Sequence, residues 1–227
     1  TLSSSSAASD VYKRQEENTI VIYTSDQGFF IGEHGWFDKR FIYDESFKTP
    51  LMIKWPNQIK PGTTNEEMVQ NLDYAQTFLE MAGAEIPSNM QGKSLVPILK
   101  NGKADDWRDS IYYHYYEYPS VHMIPRHYGI RTERYKLINI YQFGNEWEMY
   151  DLKEDPDELT NIYGKADKKS LQKDLKEQLV AIRKFYDDNT DVSEKPEEWK
   201  FYRNPFLDPD VFAYWILTDE EKELIVH

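Results

Sequence analysis

Apolar and polar positions change rhythm several times along this chain. Residues 19–23 (Thr, Ile, Val, Ile, Tyr) form an unbroken β-branched and apolar run. A run without alternation is the pattern of a strand buried on both faces of a parallel sheet. It ends in Ser25-Asp26-Gln27-Gly28, which places a carboxylate and an amide oxygen where open α/β sheets hold their ligands. Residues 51–55 read as a second short strand, closed by Pro56. Leu72, Ala75, Phe78, Leu79 and Ala82 then recur at helical spacing. Asn71 or Asp73 can cap that helix, and Gly83 and Pro87 stop it. Residues 92–99 predict an extended or short helical segment.

From residue 109 the aromatic content rises. Residues 111–116 are a strand candidate. Residues 128–132 and 136–141 predict a hairpin across Glu133-Arg134-Tyr135, and 147–152 a further strand. Leu171, Leu175, Leu179, Ile182 and Phe185 mark the apolar face of one amphipathic helix laid over that sheet. Its other face of Lys, Asp and Glu is solvated. Four segments follow: residues 1–15, 16–108, 109–188 and 189–227. The first, Ser- and Ala-rich without an apolar core, is no signal peptide. It resembles translated sequencing-adapter sequence and is set aside, so the natural chain is expected to begin upstream. The last carries no motif and stays unassigned.

Composition narrows the function classes. At 227 residues with 40% hydrophobic positions, the chain is long enough to bury a core. A net charge of −13 opposes nucleic acid or an anionic membrane as partner. An anionic substrate must then be held by local charge inversion, through a metal and a few Lys or Arg. There is no cysteine, hence no disulfide framework and no thiolate metal site. No apolar stretch reaches the ~20 residues that span a bilayer. The 17 Tyr and 6 Trp suit a carbohydrate-facing protein.

Hard divalent cations take oxygen ligands of the kind Asp26 and Gln27 offer. Lys39 follows, after Gly32-Glu33-His34-Gly35, and a lysine beside such a metal can neutralise an oxygen of a bound anion. Taken singly, Asp26 is equally an ordinary turn residue at a strand end, and Lys39 a solvated surface lysine. His34 either lines the site or is a structural histidine between two glycines.

Taken together and in order, Ser25-Asp26-Gln27-Gly28, the Gly-Glu-His-Gly segment, Lys39 and the Thr49-Pro50-Leu51 to Trp55-Pro56 tail resemble the type I, formylglycine-dependent sulfatases of the alkaline-phosphatase-like superfamily. The resemblance implies an α/β fold: the carboxyl-terminal part of an alkaline-phosphatase-like sandwich, mostly parallel, over 16–108. Over 109–188 it implies a small antiparallel-sheet subdomain with a packed terminal helix. It implies Asp26 and Gln27 as ligands of one Ca²⁺ and Lys39 as the contact to the substrate sulfate. Formylglycine, made in this family from Cys or Ser in a C/S-x-P-x-R motif, is expected in a missing amino-terminal part, because none of the 11 prolines has Cys or Ser two residues before it. The chain alone is therefore expected to be inactive, and the parent periplasmic or extracellular.

Pro125-Arg126-His127-Tyr128-Gly129-Ile130-Arg131 precedes the hairpin, in the subdomain that borders the substrate pocket in such enzymes. His127 and Arg126 can hydrogen-bond sugar hydroxyls or a neighbouring anion, and Arg131 is a further candidate. The alternatives are that His127 caps a strand and Arg131 pairs with an acidic neighbour. The same run is similar to bacterial N-acetylglucosamine-6-sulfatase-type enzymes, which implies a sulfated glycan as partner. A phosphodiesterase or phosphonate monoester hydrolase of the same superfamily, and a glycan-binding protein that kept the fold without the site, remain as competing functions.

Overall fold

The computed structural model describes residues 16–118, 124–142 and 144–193. The segments 1–15 and 194–227 lie outside the described residues. The described residues fall into two compact units: residues up to Lys39 with Asp44–Ile111, and Arg40–Tyr43 with the residues from Tyr112 on.

In the first unit, β1 (Val21–Thr24) pairs antiparallel with β4 (Leu51–Lys54), Val21 opposite Lys54 and Thr24 opposite Leu51. The expectation of a parallel strand buried on both faces is corrected here. Tyr23 and Thr24 are exposed, and the one neighbouring strand among the described residues runs the other way. An apolar run marks a strand suited to burial, but which faces are covered and which way the neighbour runs depend on the segments that pack against it. Two short strands, β2 (Phe30–Ile31) and β3 (Phe37–Asp38), form a small hairpin, followed by α1 (Asp44–Phe47).

A 3-10 turn at Asn71–Asp73 leads into α2 (Tyr74–Met81). The Gln70 side chain and Asp73 cap this start reciprocally. The apolar stripe expected to face inward is largely outside: Leu72 is 40% and Phe78 49% exposed. The buried positions are Asp73, Gln76 and Thr77. Polar bonds hold that side. The Asp73 carboxylate accepts from Gln70 N, Lys93 N and both Arg108 terminal nitrogens, the last at 2.5 and 2.6 Å. Thr77 Oγ1 donates to Asp73 O and accepts from Leu95 N. A saturated carboxylate with a bidentate arginine can be buried where a bare one cannot. Pro97 lies in the first turn of α3 (Val96–Asn101), and Gly102 ends that helix in the left-handed region.

The second unit is a four-stranded sheet in the order β5 (Ser110–Tyr115), β6 (His127–Thr132), β7 (Tyr135–Ile140), β8 (Glu146–Asp151). The β6–β7–β8 pairs are antiparallel, as the hairpin signal implied. Side chains alternate across the sheet. Tyr128, Ile130, Leu137 and Met149 share one face and pack with Leu175 and Leu179 of α4 (Lys169–Phe185). Phe185, assigned to the same apolar face, is instead 76% exposed. It sits in the last turn, beyond the point where the helix meets the sheet.

These burials separate two positions on one helix. Leu175→Ala should destabilise the fold by about 2–5 kcal/mol, and Phe185→Ala by no more than about 0.5 kcal/mol, in urea unfolding curves followed by circular dichroism. Equal losses at both positions would contradict this packing of α4.

Candidate active-site residues

Asp26 and Gln27 sit in the connection between β1 and β2, where two contacts fix the backbone. Asn71 Nδ2 donates to Asp26 O at 3.1 Å, and Gly28 N donates to Ser46 O at 2.8 Å. A Cβ at position 28 would lie 1.9 Å from Glu45 O, so the loop approaches α1 as closely as only glycine allows. The Asp26 carboxylate is exposed, with Ser25 Oγ donating to Oδ1 at 3.4 Å. Among the described residues no group of three or more His, Asp and Glu side chains is placed to hold a metal. Asp26 and Gln27 are two oxygen donors, chemically suited to a hard cation and fewer than the six to eight that Ca²⁺ takes.

His34 stands between the small strands, its Nε2 3.5 Å from Glu45 Oε2 and its ring edge-on to Phe30. Lys39 follows β3 and is partly buried. Its two neighbours both carry left-handed backbone, Asp38 at φ 85 and Arg40 at φ 104. Non-glycine residues hold such values only where the surroundings enforce them, and they concentrate at functional sites.

The remaining candidates belong to the second unit. His127 opens β6 and is 0% exposed. Nδ1 bonds to Pro125 O at 2.8 Å, the ring stacks on Phe41 at 4.8 Å, and Tyr113 and Tyr115 flank it. Its Nε2 has no hydrogen-bond partner among the described residues. Burial pulls its pKa down to about 4, against a smaller raising effect of the Pro125 carbonyl. Arg126 donates from Nε to Gln142 Oε1 at 2.7 Å and lies over the Tyr141 ring. Arg131 donates from Nη1 to Thr132 O at 3.3 Å.

Sequence reasoning missed two groups here. His114, on β5, bonds through Nδ1 to Asp188 at 2.6 Å and through Nε2 to Tyr141 OH at 2.8 Å. Burial holds its pKa below the ordinary histidine value despite the carboxylate. Burial would raise Asp188, but hydrogen bonds from Thr190, Tyr112 and His114 outweigh it and hold the carboxyl low. With both ring nitrogens occupied, this histidine braces the sheet. The second group is the segment Arg40–Tyr43 that follows Lys39: Phe41, Ile42 and Tyr43 are all buried. Its apolar Phe-Ile-Tyr run was the available signal.

A family model, N-sulphoglucosamine sulphohydrolase, C-terminal, matches residues 32–185. An N-acetylglucosamine-6-O-sulfatase of Bacteroides thetaiotaomicron is 55% identical over 181 residues, 79% of this chain and 32% of that protein. The multifunctional alkaline phosphatase superfamily protein PehA of Trinickia caryophylli is 31% identical over 188 residues, 78% of this chain and 36% of that protein. The chain thus spans about a third of the length of the curated relatives it matches. Among solved structures, BT4656 in complex with its substrate D-glucosamine-2-N,6-O-disulfate is 54% identical at a TM-score of 0.75, over 79% of this chain and 37% of that one. The phosphonate monoester hydrolase of Agrobacterium radiobacter is 26% identical at a TM-score of 0.66, over 75% of this chain and 36% of that one.

The neutral burial of His127 carries a pH signature. Unfolded, it protonates near 6.5; folded, only near 4. Between those values the unfolded state binds the extra proton, so stability is lost as pH falls through this window. The loss reaches about 3 kcal/mol. His127→Phe, which keeps an aromatic ring, should flatten the wild-type decline in unfolding free energy between pH 6.5 and 4. Parallel declines in both proteins would show that His127 is not the titrating group.

Proposed function

The chain belongs to the sulfatase family, and we propose that it is the carboxyl-terminal part of a sulfuric ester hydrolase acting on a 6-O-sulfated glucosamine unit of a glycan. The 55% identity to an N-acetylglucosamine-6-O-sulfatase carries this reading. In this reading residues 16–108 would end the catalytic domain, and 109–188 would form a carboxyl-terminal subdomain. The outward apolar stripe of α2 supports a larger parent fold, because exposed apolar surface of this kind ordinarily meets another surface. No helix among the described residues is long and apolar enough to cross a membrane. A periplasmic or extracellular site of action is the reading supported by the habit of the family.

Asp26 and Gln27 would hold the calcium ion together with ligands from other parts of the parent. Lys39 binds a sulfate oxygen and offsets its charge in a chain whose net charge is −13. When bound, the calcium ion and the formylglycine supply the Lewis acid and the nucleophile of sulfate-ester hydrolysis. Arg126 and Arg131 recognise the sugar and its second anionic group. His127 reaches the sugar only if its buried edge opens, and His34 orients the Lys39 loop through Glu45. A phosphonate or phosphodiester hydrolase is the competing reading, supported by the lower identity of 26% to the phosphonate monoester hydrolase of Agrobacterium radiobacter.

The test is to recover the upstream reading frame and assay the full-length protein with calcium on 6-sulfated N-acetylglucosamine, beside Lys39→Ala. Sulfate release that falls at least about a hundredfold in the variant is expected. Hydrolysis of a phosphonate monoester with no sulfate release would replace this reading by the competing one.

A further inference from the structure

The sheet of the second unit has two covered faces. α4 covers one. The other carries His127 and Gly129 of β6, Lys136 and Ile138 of β7, and Glu148 and Tyr150 of β8, and the segment Arg40–Tyr43 lies across them. Each of its four residues is tied down. Tyr113 OH donates to Arg40 O. Phe41 stacks on His127. A Cβ at Gly129 would lie 3.0 Å from Ile42 Cδ1 and 2.6 Å from Leu137 O, so a bare α-carbon makes the room that Ile42 uses. Tyr43 OH donates to Glu148 Oε2 at 2.6 Å, the oxygen that also accepts from Tyr150 OH at 3.0 Å.

At the centre is Lys136. Its side chain is 0% exposed, and its Nζ donates to Ile42 O at 2.8 Å. The same nitrogen lies 2.7 and 2.8 Å from the two carboxylate oxygens of Glu158, itself buried. Removing two charges from water is unfavourable unless the geometry is close to ideal. For stability alone, a hydrophobic pair would serve as well. What this pair adds is direction: an ammonium held by a carboxylate and aimed at one backbone carbonyl.

That carbonyl is three residues after Lys39, and Asp38 and Arg40, which flank Lys39, both hold left-handed φ values that restrict how the backbone there can adjust. We infer that the Lys136–Glu158 pair, through Ile42, is a positioning device that sets where Lys39 presents its ammonium. This rests on the reading of Lys39 as the sulfate contact. Lys136 and Glu158 touch no substrate in this scheme and act through the strap alone.

A double-mutant cycle in the full-length enzyme tests it, with sulfate release as readout. Lys136→Met should lower kcat/KM by about ten- to hundredfold, the cost of a small misplacement. In a Lys39→Ala background the same change should cost nothing further, because its effect runs through Lys39. Tyr113→Phe, a milder release at Arg40, should follow the same pattern, and it carries the test if Lys136→Met does not fold. In the 227-residue chain, Lys136→Met should speed trypsin cleavage after Lys39 and Arg40 selectively, with cleavage after Lys173 unchanged. Losses that add in the double mutant, or an unaltered cleavage pattern, would overturn the inference. If Lys39→Ala alone keeps wild-type turnover, the sulfate-contact reading falls, and this inference with it.

Discussion

A lysine ammonium with no access to water is the constraint around which the second unit is built. Lys136 sits in the middle strand pair, between Tyr135 and Leu137, and its register opposite Arg131 and Tyr150 aims it away from the α4 core. Glu158 must come to it, and does so from the loop after β8 with φ 52, a value glutamate adopts only under compulsion. The Ile42 carbonyl supplies a further acceptor. Breaking either side of such a pair leaves a buried charge unmatched, so loop and strap are both bound to the sheet by one electrostatic requirement.

The same logic runs through the aromatic residues. Tyr43, Tyr112, Tyr113 and Tyr150 bury their rings and place each hydroxyl on a carboxylate or carbonyl. Burial first, then neighbouring negative charge or a neighbouring hydroxyl, raises all four phenols well above the ordinary tyrosine value. They therefore act as neutral donors at any physiological pH. Many tyrosines can read as a sugar-facing surface, yet these four serve the interior, where an apolar ring with one directed donor satisfies packing and polarity together.

In the first unit the balance is inverted. The polar side of α2 is buried on the Asp73–Arg108 pair, and its apolar stripe is outside. An amphipathic helix ordinarily buries its apolar face. Here burial follows the saturated polar network, and Leu72 and Phe78 stay exposed.

Alternation and turn chemistry alone determined the hairpin of β6 and β7, the strand that follows it and the helix of α4, because these contacts are local in sequence and each repeats a period set by the backbone. Ser25-Asp26-Gln27-Gly28, the Gly32-Glu33-His34-Gly35 segment, Lys39 and the Thr49 to Pro56 tail, taken together and in order, were enough to reach the family, since they share one short stretch. Neither the cover of β1 nor the direction of its partner was legible, because an apolar run says that a strand is suited to burial and not what lies beside it. The exposure of Phe185 and Phe78 was hidden for a related reason: periodicity defines a face, and only the neighbouring chain decides whether that face is covered. Lys136, Glu158 and the strap after Lys39 lie far apart in sequence. Their meeting depends on a buried charge finding its partners in three dimensions, and that was decided by the tertiary structure.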